Sequence, residues 1–179
     1  MTDNYQTIKQ PDINDKKFLQ QNNHRSTHQK TDSKIEAVVN IKREPFDNAM
    51  LTIALKPPES GGLLLGPVGT NDVTDFFFDA GGNVTGASYS PDHRTLNRKM
   101  KEEWIPAGID MKGFIHSHPG RLDTLTDQDL MYIKRLLAAN PDMSMFIAPI
   151  IIPFEFRMRM MVVFSDNPGT IVEARINFF

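Results

Sequence analysis

Beyond residue 34 the chain alternates short strand-like apolar runs with three stretches of helical periodicity, and that order leaves few folds open. Strands interspersed with amphipathic helices collect into one sheet whose faces the helices cover. Residues 35–41 read as a first strand. Residues 45–55 read as a helix, with Phe46, Met50, Ile53 and Ala54 at helical spacing, Pro45 in the first turn and Pro57-Pro58 as the stop. Strands follow at 62–68 and 73–79, and the turn at 80–83 predicts that 84–89 pairs back on 73–79 as a hairpin. Ser90 then reads as a helix cap with Pro91 at the first position. Leu96, Met100 and Trp104 repeat every four residues toward the core, and Pro106 stops the helix. A strand over 111–116 and a helix over 127–139, with Leu130, Ile133, Leu136 and Leu137 on one face, complete the middle of the chain. Near the end, Phe154, Phe156 and Met158 alternate with Glu155, Arg157 and Arg159 as in a half-exposed strand, followed by strands at 162–164 and 171–178. The expected fold class is mixed α/β, a curved mixed sheet flanked by helices.

Two domains' worth of texture are visible. Residues 1–33 are rich in Asn and Gln and carry few apolar residues beyond Ile8, Ile13, Phe18 and Leu19. Such a segment buries too little surface to offset its ordering entropy, so it reads as a flexible tail ahead of a domain over 34–179. Hydrophobic residues make up 40% of the chain and charged residues 23%, near the globular average, so a core is within reach. The net charge of -2 argues against nucleic acid as a partner. The polar start carries no apolar secretion signal, and no run approaches the roughly 18 apolar residues of a membrane span. The expectation is a cytoplasmic protein with no membrane partner.

Cysteine is absent, which excludes thiolate metal sites and thiol nucleophiles and leaves His, Asp, Glu and water as possible metal ligands. The informative segment is Gly113-Phe114-Ile115-His116-Ser117-His118-Pro119. Side chains two apart on a strand share a face, so His116 and His118 make a two-imidazole clamp, although such a pair also occurs as ordinary surface or core residues. Asp129 lies eleven positions after His118, in the first turn of the predicted helix. Two histidines, one carboxylate and a water match the plan of a catalytic zinc site. The same Thr126-Asp127-Gln128-Asp129 segment also reads as a capping box, and the two readings are compatible. A base to move the water's proton is still required, and Glu59, ahead of the 62–68 strand, is the candidate beside the plainer reading of a solvated loop residue.

The pattern Glu59-Ser60-Gly61-Gly62 followed by an apolar strand, then His116-Ser117-His118-Pro119, then Thr126-x-x-Asp129, resembles the JAMM motif of the JAB/MPN-plus zinc metalloproteases. The resemblance covers roughly residues 35–179, including a helix ending at Trp104. It implies a JAB/MPN-like, cytidine-deaminase-like architecture and one catalytic zinc ion held by His116, His118 and Asp129. It implies Glu59 as general base and later acid, and Thr126 as the hydroxyl that meets the developing oxyanion, where the family usually has serine. It further implies cleavage after the C-terminal glycine of a ubiquitin-like protein or its conjugates, by a bacterial- or phage-type single-domain member acting beside an E1-like activating enzyme. A substrate tail could join a sheet edge, with residues 67–75 as the facing loop. Rival readings are a non-catalytic scaffold of the same fold and a zinc amidase acting on a small substrate. Among other residues, His24 and His28 fall in the tail, His93 reads as surface and Trp104 as core. Met158, Met160 and Met161 read as sheet packing, and Asp123 and Asp127 as loop carboxylates that could support a histidine.

Overall fold

A computed structural model describes residues 37–56, 59–85 and 88–179. The tail reading of residues 1–33 lies outside the described residues. In chain order the elements are β1 (Ala37–Ile41), α1 (Arg43–Ala54), β2 (Gly61–Pro67), β3 (Asp75–Phe78), β4 (Asn83–Thr85), β5 (Ser88–Ser90) and α2 (His93–Lys99). After these come β6 (Ile109–Ser117), α3 (Asp127–Ala139), β7 (Met145–Ile147), β8 (Ile150–Ile152), β9 (Arg157–Arg159), β10 (Met161–Phe164) and β11 (Ile171–Phe178). One mixed sheet runs β1-β11-β10-β7-β6-β2-β3, with β8 alongside β6 and β9 alongside β8. The fold class is the mixed α/β one expected, with helices on both faces.

The central strands decide which helix covers which face. Leu63 and Phe114 pair in register and point into a core shared with Leu96 of α2 and Ile133, Leu136 and Leu137 of α3. Leu64 and Ile115 point the other way, against Ala49, Met50 and Ile53 of α1. Both faces are covered, so β6 is buried almost throughout, as a central strand must be. A bulge between Leu64 and Leu65 shifts the β2–β6 register and lets both Met111 and Phe114, three apart, reach the α2/α3 core. Each of the three fully buried α3 residues contributes roughly 1.5–3 kcal/mol by leaving water.

Several sequence expectations change. Residues 84–89 do not pair with the third strand. β3 takes the edge of the large sheet beside β2, and β4 and β5 pair only with each other. The α2 cap is Asp92, not Ser90: its carboxylate accepts from the Thr95 backbone N–H, two residues later than the proline pattern suggested. Past α2 the chain loosens into a π-helical turn, Met100–Trp104, and then tightens into a 3-10 turn, Ile105–Ala107, closed by Gly108 at φ 75°. Trp104 is half-buried against the core, edge-on to Phe77 at 5.2 Å. The alternation over 154–158 is broken because Pro153 starts a 3-10 turn and Phe156 sits at φ 47°, which leaves Phe154 and Phe156 exposed and only 157–159 extended. Met160 and Met161 are sheet-packing residues, one on each face, with Met158 partly buried beside them.

Candidate metal centre

β6 carries the two histidines to the end of the central strand. His116 shares the face of Phe114, toward α3, and both histidines are buried, at 7% and 2% exposure. The strand ends at Ser117, with His118 just past it and Pro119 next, and Gly120 at φ 66° supplies the left-handed turn that reverses the chain. Two anchors hold the returning loop. Leu125 is buried in the α3-side core. Arg159 of β9 reaches the Asp123 carboxylate at 2.9 Å and donates to its carbonyl at 3.3 Å. Asp123 is therefore spent on arginine rather than on a histidine, and Asp127 is an exposed first residue of α3.

α3 begins with a capping box. The Thr126 hydroxyl accepts from the Asp129 backbone N–H at 3.2 Å, and the Thr126 backbone N–H donates to Asp129 Oδ2 at 2.8 Å. The box fixes the carboxylate in the first helical turn, where the helix dipole favours it. The Thr126 hydroxyl also donates to Asp129 Oδ2 at 2.7 Å. The capping box expected from the sequence is present, and it leaves the Asp129 carboxylate beside both imidazoles.

The three side chains converge. His116 Nε2 and His118 Nε2 face each other at 2.8 Å, and Asp129 meets His116 Nε2 through Oδ1 and His118 Nε2 through Oδ2, each at 3.4 Å. One ligand atom from each lies within 4.8 Å of the others. Burial opposes ionisation of Asp129, but the hydrogen bonds from His116 and His118, the charge interaction with His116 and the Thr126 hydroxyl outweigh it and hold the carboxyl well below the usual carboxylate range.

β2 forms the opposite wall. Gly61 sits directly across from His116, and the Ser117 backbone N–H donates to the Ser60 carbonyl at 2.9 Å. Glu59 directly precedes Ser60, in the turn that leads into β2. Glu59 is buried, at 6% exposure, so the solvated-loop reading does not describe it. β2 then runs away from the centre, and Pro67 pairs with Ile109 at the far end of β6. Pro67 consequently stands about six strand steps, roughly 20 Å, from the level of His116, and Asp75, paired with Leu65, about four, so the loop expected to face the substrate lies toward the other end of β2.

The roof is a residue that sequence reasoning placed only as a strand end. Tyr89 of β5 stacks on the His116 ring at 6.4 Å and 25°. Its hydroxyl donates to the buried Asp79 carboxylate at 2.7 Å, which also accepts the Asp92 backbone N–H at 2.9 Å. Burial, and then the bond to Asp79, push the Tyr89 phenol far up, so it stays protonated. Gly61 is required here, because a Cβ on it would come within 2.6 Å of the Tyr89 ring. No local pattern announces this contact, which joins β5 to β2 and β6. His93, expected at the surface, is half-buried at the start of α2. Burial lowers its pKa, and its ring packs 6.1 Å from Tyr132.

The donor set fits a divalent cation. Two imidazole nitrogens and a carboxylate oxygen point into one space with no cationic side chain among them, and two nitrogens and an oxygen suit zinc. Tetrahedral ligands at about 2.0–2.1 Å from an ion lie roughly 3.3 Å apart; each imidazole stands 3.4 Å from a different Asp129 oxygen, and the imidazole pair, at 2.8 Å, is closer than that spacing. His118 Nδ1 is buried without a hydrogen-bond partner, an exception to the usual outward support of a ligand imidazole.

No family model matches the chain, and no curated protein matches it. Solved structures do. The solution structure of protein DSY2949 from Desulfitobacterium hafniense is similar over 79% of this chain and 92% of its own, with TM-score 0.56 and 20% identity. AF2198, a JAB1/MPN domain protein from Archaeoglobus fulgidus, is similar over 76% of this chain and 97% of its own, with TM-score 0.46 and 18% identity. The first likeness shows a shared fold. No helix among the described residues is long and apolar enough to cross a membrane.

Proposed function

We propose that the chain is a zinc-dependent hydrolase of amide bonds, which cleaves after the C-terminal glycine of a ubiquitin-like protein, from a lysine conjugate or a precursor. The observation that carries the reading is the convergence of His116, His118 and Asp129, and it is supported by the burial of Glu59 in the turn that leads into the adjoining strand β2. The sequence resemblance to the JAMM pattern, over the same residues, supplies the substrate class and the E1-like companion.

In this reading His116, His118 and Asp129 hold the ion. A zinc ion bound there supplies Lewis acidity and lowers the pKa of a water toward about 7. Glu59 accepts the proton of the attacking water and returns it to the leaving amine, so no covalent enzyme intermediate is needed in a chain without cysteine. Tyr89 keeps His116 oriented and covers one side of the centre. Thr126 has two parts to play. Its hydroxyl positions Asp129 in the resting structure, and it becomes a donor to the developing oxyanion by giving up that bond. Substitution of Glu59 by glutamine tests the reading. Glu59→Gln is expected to keep its zinc and lose at least about 10²-fold in turnover of a ubiquitin-like conjugate. Turnover within a few fold of the parent would remove Glu59 from the chemistry.

A further inference from the structure

A cleft of about 470 Å³ adjoins the metal centre, and His116 and Asp129 are both part of its wall. That is a volume suited to a small ligand or a single bulky side chain. The cleft lies between the β5–α2 junction and α3. Tyr89 and Pro91 form one lip, Met131 and Tyr132 the other, and Phe114 and Ala148 of the sheet lie beneath. Its roof is fixed, because Tyr89 is bonded to Asp79 and Asp79 to the start of α2.

The chemistry of the wall is selective. Apart from Asp129 the one charged side chain in it is Arg135, which is exposed at the rim. Phe114, Phe146 and Ala148 of the sheet offer a charged group no counter-charge, and the Tyr132 hydroxyl, buried without a hydrogen-bond partner, is the polar atom left open in the wall. The rings are arranged for an aromatic guest: Phe114 packs on Tyr132 at 6.0 Å and on Phe146 at 5.8 Å, with interplanar angles of 44° in both. Tilted rings at that spacing leave faces and edges for a further ring.

We propose that this cleft is a specificity subsite that takes a bulky apolar, preferably aromatic, side chain next to the bond to be hydrolysed. The proposal rests on the hydrolase reading of the triad and adds to it the class of residue flanking the scissile amide. A glycine on the acyl side has nothing to place there, so a glycine-ending substrate would fill the cleft from the amine side, which favours a precursor with a bulky residue after the glycine over a lysine conjugate.

Three capped dipeptide amides test it: N-acetyl-Gly-Phe, N-acetyl-Phe-Gly and N-acetyl-Gly-Gly. Binding to the full chain is followed by NMR at the Met131 and Ala148 methyl groups, with zinc content measured on the same sample. The Gly-Phe probe is expected to bind about 10- to 100-fold tighter than Gly-Gly and to shift both methyl signals. A tighter Phe-Gly probe with the same shifts would also support the subsite and assign it to the acyl side. Ala148→Leu, which fills the floor, should bring the aromatic probe to within about twofold of Gly-Gly. Met131→Asp, at a half-exposed helix position that does not endanger folding, should do the same. Equal binding of all three probes, or shifts confined elsewhere, in a protein that takes up zinc overturns the subsite alone. Aromatic preference in a protein that takes up no zinc overturns the hydrolase reading, and with it the subsite's catalytic meaning.

Discussion

Removal of the Thr126 hydroxyl should cost the protein twice, in two separable assays. The hydroxyl accepts from the Asp129 backbone N–H at 3.2 Å and donates to Asp129 Oδ2 at 2.7 Å, so Thr126→Ala deletes a helix cap and a support of a metal ligand together. The cap is worth about 1–2 kcal/mol. The Thr126 backbone N–H still reaches Asp129 Oδ2 in the variant, so the carboxylate keeps one tether and the helix start is not lost outright. For the metal, loss of a hydrogen bond to a ligand costs about 10- to 100-fold in affinity. Urea unfolding of metal-free protein reads the first effect and chelator-competition titration of zinc reads the second. Thr126→Ser retains the hydroxyl and should restore both to near the parent. A Thr126→Ala protein as stable as the parent, or a serine variant that fails to recover zinc affinity, would refute the dual role.

Other substitutions probe the frame around the centre. Tyr89→Phe leaves the buried Asp79 without its 2.7 Å donor, and urea unfolding should show a loss of about 1–3 kcal/mol; a change under about 0.5 kcal/mol would mean the roof is not held by that bond. Gly113→Ala places a Cβ within 1.7 Å of the Ile147 carbonyl on β7, which neither strand can yield without breaking the central ladder. Thermal unfolding should show a loss of about 3 kcal/mol or more, and a soluble variant that melts with the parent would contradict the β6–β7 contact.

Much of the centre was legible because it rests on short-range rules. α3 spans the 127–139 read from its periodicity and caps, and the capping box that sequence alone suggested is what aims Asp129. The two-residue spacing of His116, near the end of β6, and His118, one residue past it, brings their Nε2 atoms together at 2.8 Å as the strand rule suggested. Long-range facts were not legible. β7 and β8 lie within the apolar run ending at Pro153, interrupted at Ala148 and Pro149, and periodicity cannot divide a run that is buried on both faces. The Phe154–Met158 alternation misled for the opposite reason: a local turn begun by Pro153 overrode a pattern that fits a strand. The partner of β3 was misassigned because a glycine-rich turn after it suggested a hairpin, whereas β2, already in place, offers four register partners. Tyr89 and Gly61 acquire their importance only when β5 folds across β2, and nothing within either segment encodes that meeting.

Metal content tests the central claim most directly. Tag-free full-chain protein purified without chelator, beside the His116→Ala/His118→Ala double variant, would be assayed by mass spectrometry. The account predicts about one zinc per chain in the parent and none in the variant, because two of the three converging ligands are gone. No zinc in the parent even after reconstitution, or equal zinc in both proteins, would contradict it and leave the non-catalytic scaffold as the better description of this fold.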